Sequence, residues 1–310
     1  MRVLVYGAGK VGSTAGGFLS RHHDVTFLGR RRHLGAIKKS GLHLSGIWGK
    51  FHFKKLKLET DFNRLKKAPA FDLILVTVKS YGTPAAAKEI GKILKPHTLV
   101  LSLQNGLGNA EALARFIPKK QILAGRVIFG AAMPVPGHIK ITVMAEPTAI
   151  GEAFGAKLTP RVKTIVKAFQ KSGFPCAAAP DVQKVLWAKV VYNCALNPLA
   201  SILNCHYGLL TESEKTRSVM NDVIAEIYAV AKRKKVKMNP SKPKAYEELF
   251  YSRLVPRTYL HRPSMLQDLE GGKRTEIGAL NGAITKLGKS VKVKTPVNRF
   301  LEREILSREA

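Results

Sequence analysis

The chain has 310 residues, 45% of them hydrophobic and 7% aromatic, enough for two domains with sizeable cores. Fifty-two lysines and arginines against 21 aspartates and glutamates give a formal net charge of +31. The cations are spread along the chain without interleaved aromatics, which argues against specific nucleic-acid recognition and for a field that steers small anions.

Residues 2–6 (RVLVY) read as a short buried strand, followed by a glycine turn that opens a helix and by a second strand at 24–28 (DVTFL). This is the pattern of a parallel βαβ unit. Leaving no room before it, Met1-Arg2 argues against a signal peptide, and no apolar run reaches bilayer length. LILVTV (73–78) and TLVLSL (98–103) are further buried strands, with PAAAKEIGKIL between them as a helix. Ile122–Ala124 and Arg126–Phe129 suggest another strand, and IKITVMAEPTAIGE alternates like antiparallel strands. A helix over 159–174 starts at a Thr-Pro cap.

From about Asp181 the strand pattern stops. Apolar spacing at Val219, Met220, Val223, Ile224, Ile227 and Val230 marks a long helix closed by the basic run Lys232–Lys237, where cations complement the helix dipole. Helices are also expected over Tyr246–Leu254, Ser264–Leu269, Glu276–Leu287 and Pro296–Leu306. The fold class is therefore α/β, with a dinucleotide-binding Rossmann-type domain over 1–180 and an all-helical substrate domain over 181–310. The three cysteines, Cys176, Cys194 and Cys205, lack ligand spacing, so neither disulfides nor a metal is expected, and the compartment reads as a reducing cytoplasm.

Gly7-Ala8-Gly9-Lys10-Val11-Gly12 matches GxGxxG after a strand and at a helix start. The glycines serve the tight turn, the approach of a pyrophosphate to the backbone, and close packing of helix on strand, while the helix start offers free N–H groups. An NAD site wants a carboxylate at the end of the second strand. This chain has Gly29-Arg30-Arg31-Arg32 instead, so an NADP 2′-phosphate fits better, with Arg30 the nearest contact and Arg31 a second. Lys79 and Asn105 follow successive strands, at the edge where such sheets bind ligands.

Lys189, Asn193 and Asn197 recur every four residues in WAKVVYNCALNPL, so on a helix they share one face, about 6 Å of rise apart. One ammonium and two carboxamides along an otherwise apolar stretch call for a polar ligand, a neighbouring polar element or water, and the apolar residues around them leave little room for a wide wet face and favour the ligand. Pro198 removes the helix bond to the Cys194 carbonyl, predicting a local kink that aims the stripe. Ser264-x-x-Gln267 has the form of a capping box, Thr275 is placed to cap the following helix, and Glu276 falls in that helix's first turn.

GAGKVG, the VTVKS strand end, LQNGLGN, KVVYNCALNPLASILN and SMLQDLEGGKRTEIGALNG together resemble the ketopantoate reductase (2-dehydropantoate 2-reductase) family, of the 6-phosphogluconate-dehydrogenase-like group, over almost the whole chain. The resemblance implies NADPH-dependent reduction of 2-dehydropantoate to (R)-pantoate, toward pantothenate and coenzyme A. It implies Lys189 as proton donor, Glu276 as the acidic residue of the closed site, and Asn105, Asn193, Asn197 and Ser264 as substrate contacts. Asn105, Ala131 and Glu276 join the glycine loop on the cofactor side. Where some family members carry a further asparagine, this chain has Tyr207, which bears on the size of the accepted keto acid. Reduction of another 2-keto acid on the same scaffold is the nearest alternative. A noncatalytic NADP-sensing or nucleic-acid-associated protein is the competing class, and the Lys–Asn–Asn stripe speaks against it. A small 2-keto acid, no membrane, and a monomer or homodimer complete the expectation.

Overall fold

The computed structural model describes residues 1–309. Contacts divide the chain into two compact units, one of Met1–Gln104 with Asn109–Val182, the other of Asn105–Gly108 with Gln183–Ala310.

The first unit is built on an eight-stranded sheet. In spatial order its strands are Cys176–Ala178, Thr148–Glu152, Ile122–Arg126, Leu99–Ser102, Leu73–Val76, Arg2–Tyr6, Asp24–Leu28 and Lys57–Glu59. All neighbours are parallel except Thr148–Glu152 on Ile122–Arg126. The central strands Leu73–Val76 and Arg2–Tyr6 are buried on both faces, which explains their unbroken apolar runs. From Arg2–Tyr6 the chain crosses first to Asp24–Leu28 on one side and later to Leu73–Val76 on the other. Order therefore reverses at this strand, and such a switch point opens a crevice beyond the strand ends.

A four-stranded sheet accompanies it, in the order Phe51–Phe53, Leu42–Gly46, His138–Met144 and Phe129–Val135. The sequence pattern does not separate this sheet out. One outer strand is only three residues long, and the alternating runs of Leu42–Gly46 and Phe51–Phe53 are too short to stand out. The stretch expected to alternate as antiparallel strands is shared between the two sheets, His138–Met144 in the small one and Thr148–Glu152 in the large one.

The second unit, among its described residues, contains helices and turns only. Val182–Ile202, all but its first residue in this unit, is the central helix, and Glu214–Arg233 packs its apolar face into the same core. Around Trp187, Val190, Val191, Cys194, Leu196 and Ala200 the core is fully closed. Two expected helices differ in detail. Tyr246–Leu254 becomes an α-helix over Pro243–Leu249 running into a wider π turn over Phe250–Leu254. Glu276–Leu287 becomes a short 3-10 turn over Ile277–Ala279 before an α-helix over Asn281–Ser290. Among the described residues no helix is long and apolar enough to cross a membrane, and no group of three or more His, Cys, Asp or Glu is placed to hold a metal.

Candidate active site

In the first unit, the loop after Arg2–Tyr6 is tied to the strand beside it, with the N–H groups of Gly7 and Ala8 both donating to the Leu28 carbonyl at 3.0 and 2.9 Å. The Thr77 hydroxyl, beyond Leu73–Val76, donates to the Gly7 carbonyl at 2.7 Å. Gly12 permits this packing. A Cβ there would sit 2.4 Å from both the Gly7 carbonyl and Thr77 Oγ1. At Gly9 the opposite holds, for a Cβ would meet nothing within 4 Å, leaving the backbone open to a ligand. No side chain caps the helix Lys10–Leu19 and its first turn carries no acid, so its leading N–H groups are suited to a phosphate.

Arg30 is the N-cap residue of Arg31–Ser40, and both Arg30 and Arg31 are exposed and without a carboxylate partner among the described residues. A carboxylate outside the expected sequence window does stand opposite Leu28, that of Glu59. Its Oε1 accepts from the N–H groups of Thr60 and Asp61 at 2.8 and 3.0 Å, and its Oε2 lies 4.0 Å from Arg64 Nη1. Lys79 lies half-buried just past the strand end. Ala131 lies in the four-stranded sheet, opposite Ile141, and not on the sheet that carries the glycine loop.

In the second unit, a small cavity is lined by Asn105, Asn193, Asn197 and Ser264 together with Glu276, Asp268, Met265 and Leu280. Asn193 and Asn197 are one turn apart on the central helix, as their spacing predicts. Lys189, one turn earlier, does not line the cavity itself. Its ammonium donates to Asn105 Oδ1 at 2.6 Å, and Asn105 Nδ2 donates to Glu276 Oε2 at 3.3 Å. A single carboxamide thus joins the cation to the anion. Asn105 reaches this unit on the four-residue segment Asn105–Gly108, fixed by the Leu107 N–H bonded to the Ala279 carbonyl at 2.8 Å. Gly106 makes that approach possible, at φ +82° with an added Cβ 2.3 Å from the same carbonyl.

Ser264 does not form the expected capping box. Pro263 is the N-cap, Ser264 is the first helical residue, and no side chain caps the start. The hydroxyl is thereby left facing the cavity. Neither it nor the Asn193 amide is committed to a protein partner among the described residues, so both are available to a ligand. Glu276 precedes a 3-10 turn and lies outside the first turn of the α-helix, while Thr275 Oγ1 accepts from the Ile277 N–H at 3.2 Å. Sequence reasoning missed Asp268. The available signal was its spacing of four from Ser264, which puts both on one helix face.

Residues 3–155 match the family described as ketopantoate reductase PanE/ApbA, and residues 181–308 match its C-terminal part. The chain belongs to the ketopantoate reductase family. It is 37% identical to a 2-dehydropantoate 2-reductase of Aquifex aeolicus over 311 residues, covering 100% of this chain and 97% of that one. Among solved structures, a PanE/ApbA family ketopantoate reductase from Ralstonia eutropha JMP134 superposes with a TM-score of 0.88 at 32% identity, covering 100% and 98% of the two chains. A D-mandelate dehydrogenase, solved with NADH and anilino(oxo)acetate, gives 0.85 at 25% identity with the same coverage.

Within this ketopantoate reductase family member, Tyr207 has a defined place. Its ring is 3% exposed and packs edge-on against Tyr192, and its hydroxyl donates to Asn197 Oδ1. Burial holds the phenol well above its ordinary pKa, so it stays a donor through neutral and mildly alkaline pH. With its oxygen turned to Tyr207, Asn197 directs its N–H groups away from that hydroxyl. Tyr207→Phe releases that orientation. The expected result is a rise in keto-acid KM of about 3- to 12-fold, the worth of one ordinary hydrogen bond, with the KM of the nicotinamide cofactor unchanged in steady-state assays.

Proposed function

We propose that this chain reduces 2-dehydropantoate to (R)-pantoate with NADPH, a step toward pantothenate and coenzyme A, in the cytoplasm and as a monomer or homodimer. One observation carries the reading most strongly: the Lys189–Asn105–Glu276 chain stands beside a cavity whose remaining polar groups are two amides, a hydroxyl and the Asp268 carboxylate. Family membership and full-length similarity to a 2-dehydropantoate 2-reductase support it.

The open backbone at Gly9, the uncapped helix start and the unpaired Arg30 and Arg31 suit a nicotinamide dinucleotide with a 2′-phosphate. When bound, the reduced nicotinamide supplies the hydride that the C2 carbonyl carbon takes up. The carbonyl oxygen gains the displaced electron pair, and Lys189 polarises it and passes it a proton. Asn105 Oδ1 fixes the ammonium for this transfer, while Glu276 fixes Asn105. Asn197, held as a donor by Tyr207, and Asn193 and Ser264 hold the substrate's carboxylate and hydroxyl oxygens.

Lys189→Ala is expected to cut kcat for NADPH oxidation with 2-dehydropantoate by roughly 10²- to 10⁴-fold. Nearly unchanged turnover removes Lys189 from the mechanism. The same assay run across branched aliphatic and aryl 2-keto acids tests the substrate, and the highest kcat/KM is expected for 2-dehydropantoate. An aryl 2-oxo acid ranking first points instead to chemistry like that of the mandelate dehydrogenase. Arg30→Ala is expected to raise KM for NADPH by about tenfold or more while leaving NADH within about twofold, since only the phosphate ester loses a charge-assisted bond. Equal losses with the two cofactors contradict 2′-phosphate recognition.

A further inference from the structure

Pro198 lies inside the helix Val182–Ile202 and has no N–H, so the Cys194 carbonyl loses its partner one turn on. Cys194 is fully buried, which leaves that carbonyl no recourse to bulk water. Asn281 supplies the missing donor. Its Nδ2 donates to the Cys194 carbonyl at 3.2 Å and to Asn298 Oδ1 at 3.0 Å. Asn298 Nδ2 in turn donates to Glu226 Oε2 at 2.7 Å, and Glu226 also accepts the N–H groups of Val297 and Asn298 at 2.8 and 3.0 Å.

The sense of this chain is fixed from its charged end. An ionised carboxylate only accepts, so Asn298 meets it with the amide and turns its oxygen to Asn281, which must then present its own amide to two acceptors. Asn281 and Asn298 are both 0% exposed. The arrangement leaves Asn281 Oδ1 buried without a partner. A side chain serving only to fill the core has no reason to carry that penalty. A donor directed at the carbonyl freed by Pro198 does.

Both ends of the contact adjoin, in the chain, residues that line the cavity. Cys194 lies between Asn193 and Asn197 on the helix, and Leu280, beside Asn281, is a lining residue. The turn just before Asn281 begins at Glu276 and receives the Asn105 segment at Ala279. We propose that Asn281, oriented by Asn298 and Glu226, is a positioning residue that locks the proline-containing helix carrying Asn193 and Asn197 in register with the turn carrying Glu276. The proposal rests on reading this cavity as the seat of the keto acid.

Four proteins test it: the unaltered enzyme, Asn281→Leu, Pro198→Ala and the double variant. Asn281→Leu is expected to lower kcat/KM for 2-dehydropantoate by about tenfold or more, chiefly through KM, with KM for NADPH within about twofold. Pro198→Ala returns an N–H to the Cys194 carbonyl, so in that background the same Asn281 change is expected to cost less than about threefold. An equal loss in both backgrounds, or an unchanged keto-acid KM in Asn281→Leu, overturns the proposal. Should Asn281→Leu not fold, Asn281→Ser replaces it and is read the same way. Absence of NADPH consumption by the unaltered enzyme with any 2-keto acid refutes the functional reading instead. The melting temperatures of the four proteins then decide the clamp alone, with non-additive shifts expected and additive ones contradicting it.

Discussion

The second unit depends on an ammonium and a carboxylate joined through one carboxamide. Lys189 comes from the central helix, Glu276 from the turn before Asn281–Ser290, and Asn105 from a segment 84 residues before Lys189. Neutral as it is, the carboxamide accepts from the cation and donates to the anion at once, so each end fixes the other's orientation. The glycine in LQNGLGN follows from the same requirement, since only a residue without Cβ lets the segment lie against Ala279.

Around that chain the cavity is organised by what each group is prevented from doing. Tyr207 occupies the oxygen of Asn197, Asn105 is used at both ends, and Asn193 and Ser264 keep their capacity for a ligand. Such a set favours a substrate rich in oxygen acceptors, as a hydroxylated 2-keto acid is. In the first unit the same principle appears in reverse. Glu59, opposite Leu28, gives one oxygen to backbone N–H groups and the other to Arg64, and the basic residues Arg30 and Arg31 that follow the strand have no carboxylate partner among the described residues. Both units thus define their ligands by which donors are left over.

Much of this was legible in the chain itself because it rests on short-range rules. Fully buried parallel strands give unbroken apolar runs, so Arg2–Tyr6 and Leu73–Val76 stand out, and a four-residue spacing places Lys189, Asn193 and Asn197 on one helical face. The features that escaped are those decided by distant partners. Leu42–Gly46 is a strand because His138–Met144 pairs beside it, Phe51–Phe53 pairs in turn with Leu42–Gly46, and nothing local compels three-residue FHF to extend. Ser264 carries the local signature of a cap, yet Pro263 takes that position and turns the hydroxyl to the cavity. Asn281 looks like any polar residue at a helix start. Its role becomes visible only beside the carbonyl that Pro198 releases.

The central claim is that Lys189 acts as an acid only while Asn105 holds it. A double-mutant cycle on the single-turnover rate of NADPH oxidation with 2-dehydropantoate, using Asn105→Ala, Lys189→Ala and the pair, measures that dependence directly. The account predicts strong non-additivity, the double variant losing scarcely more than Lys189→Ala alone. Losses that multiply, as for two independent sites, contradict it.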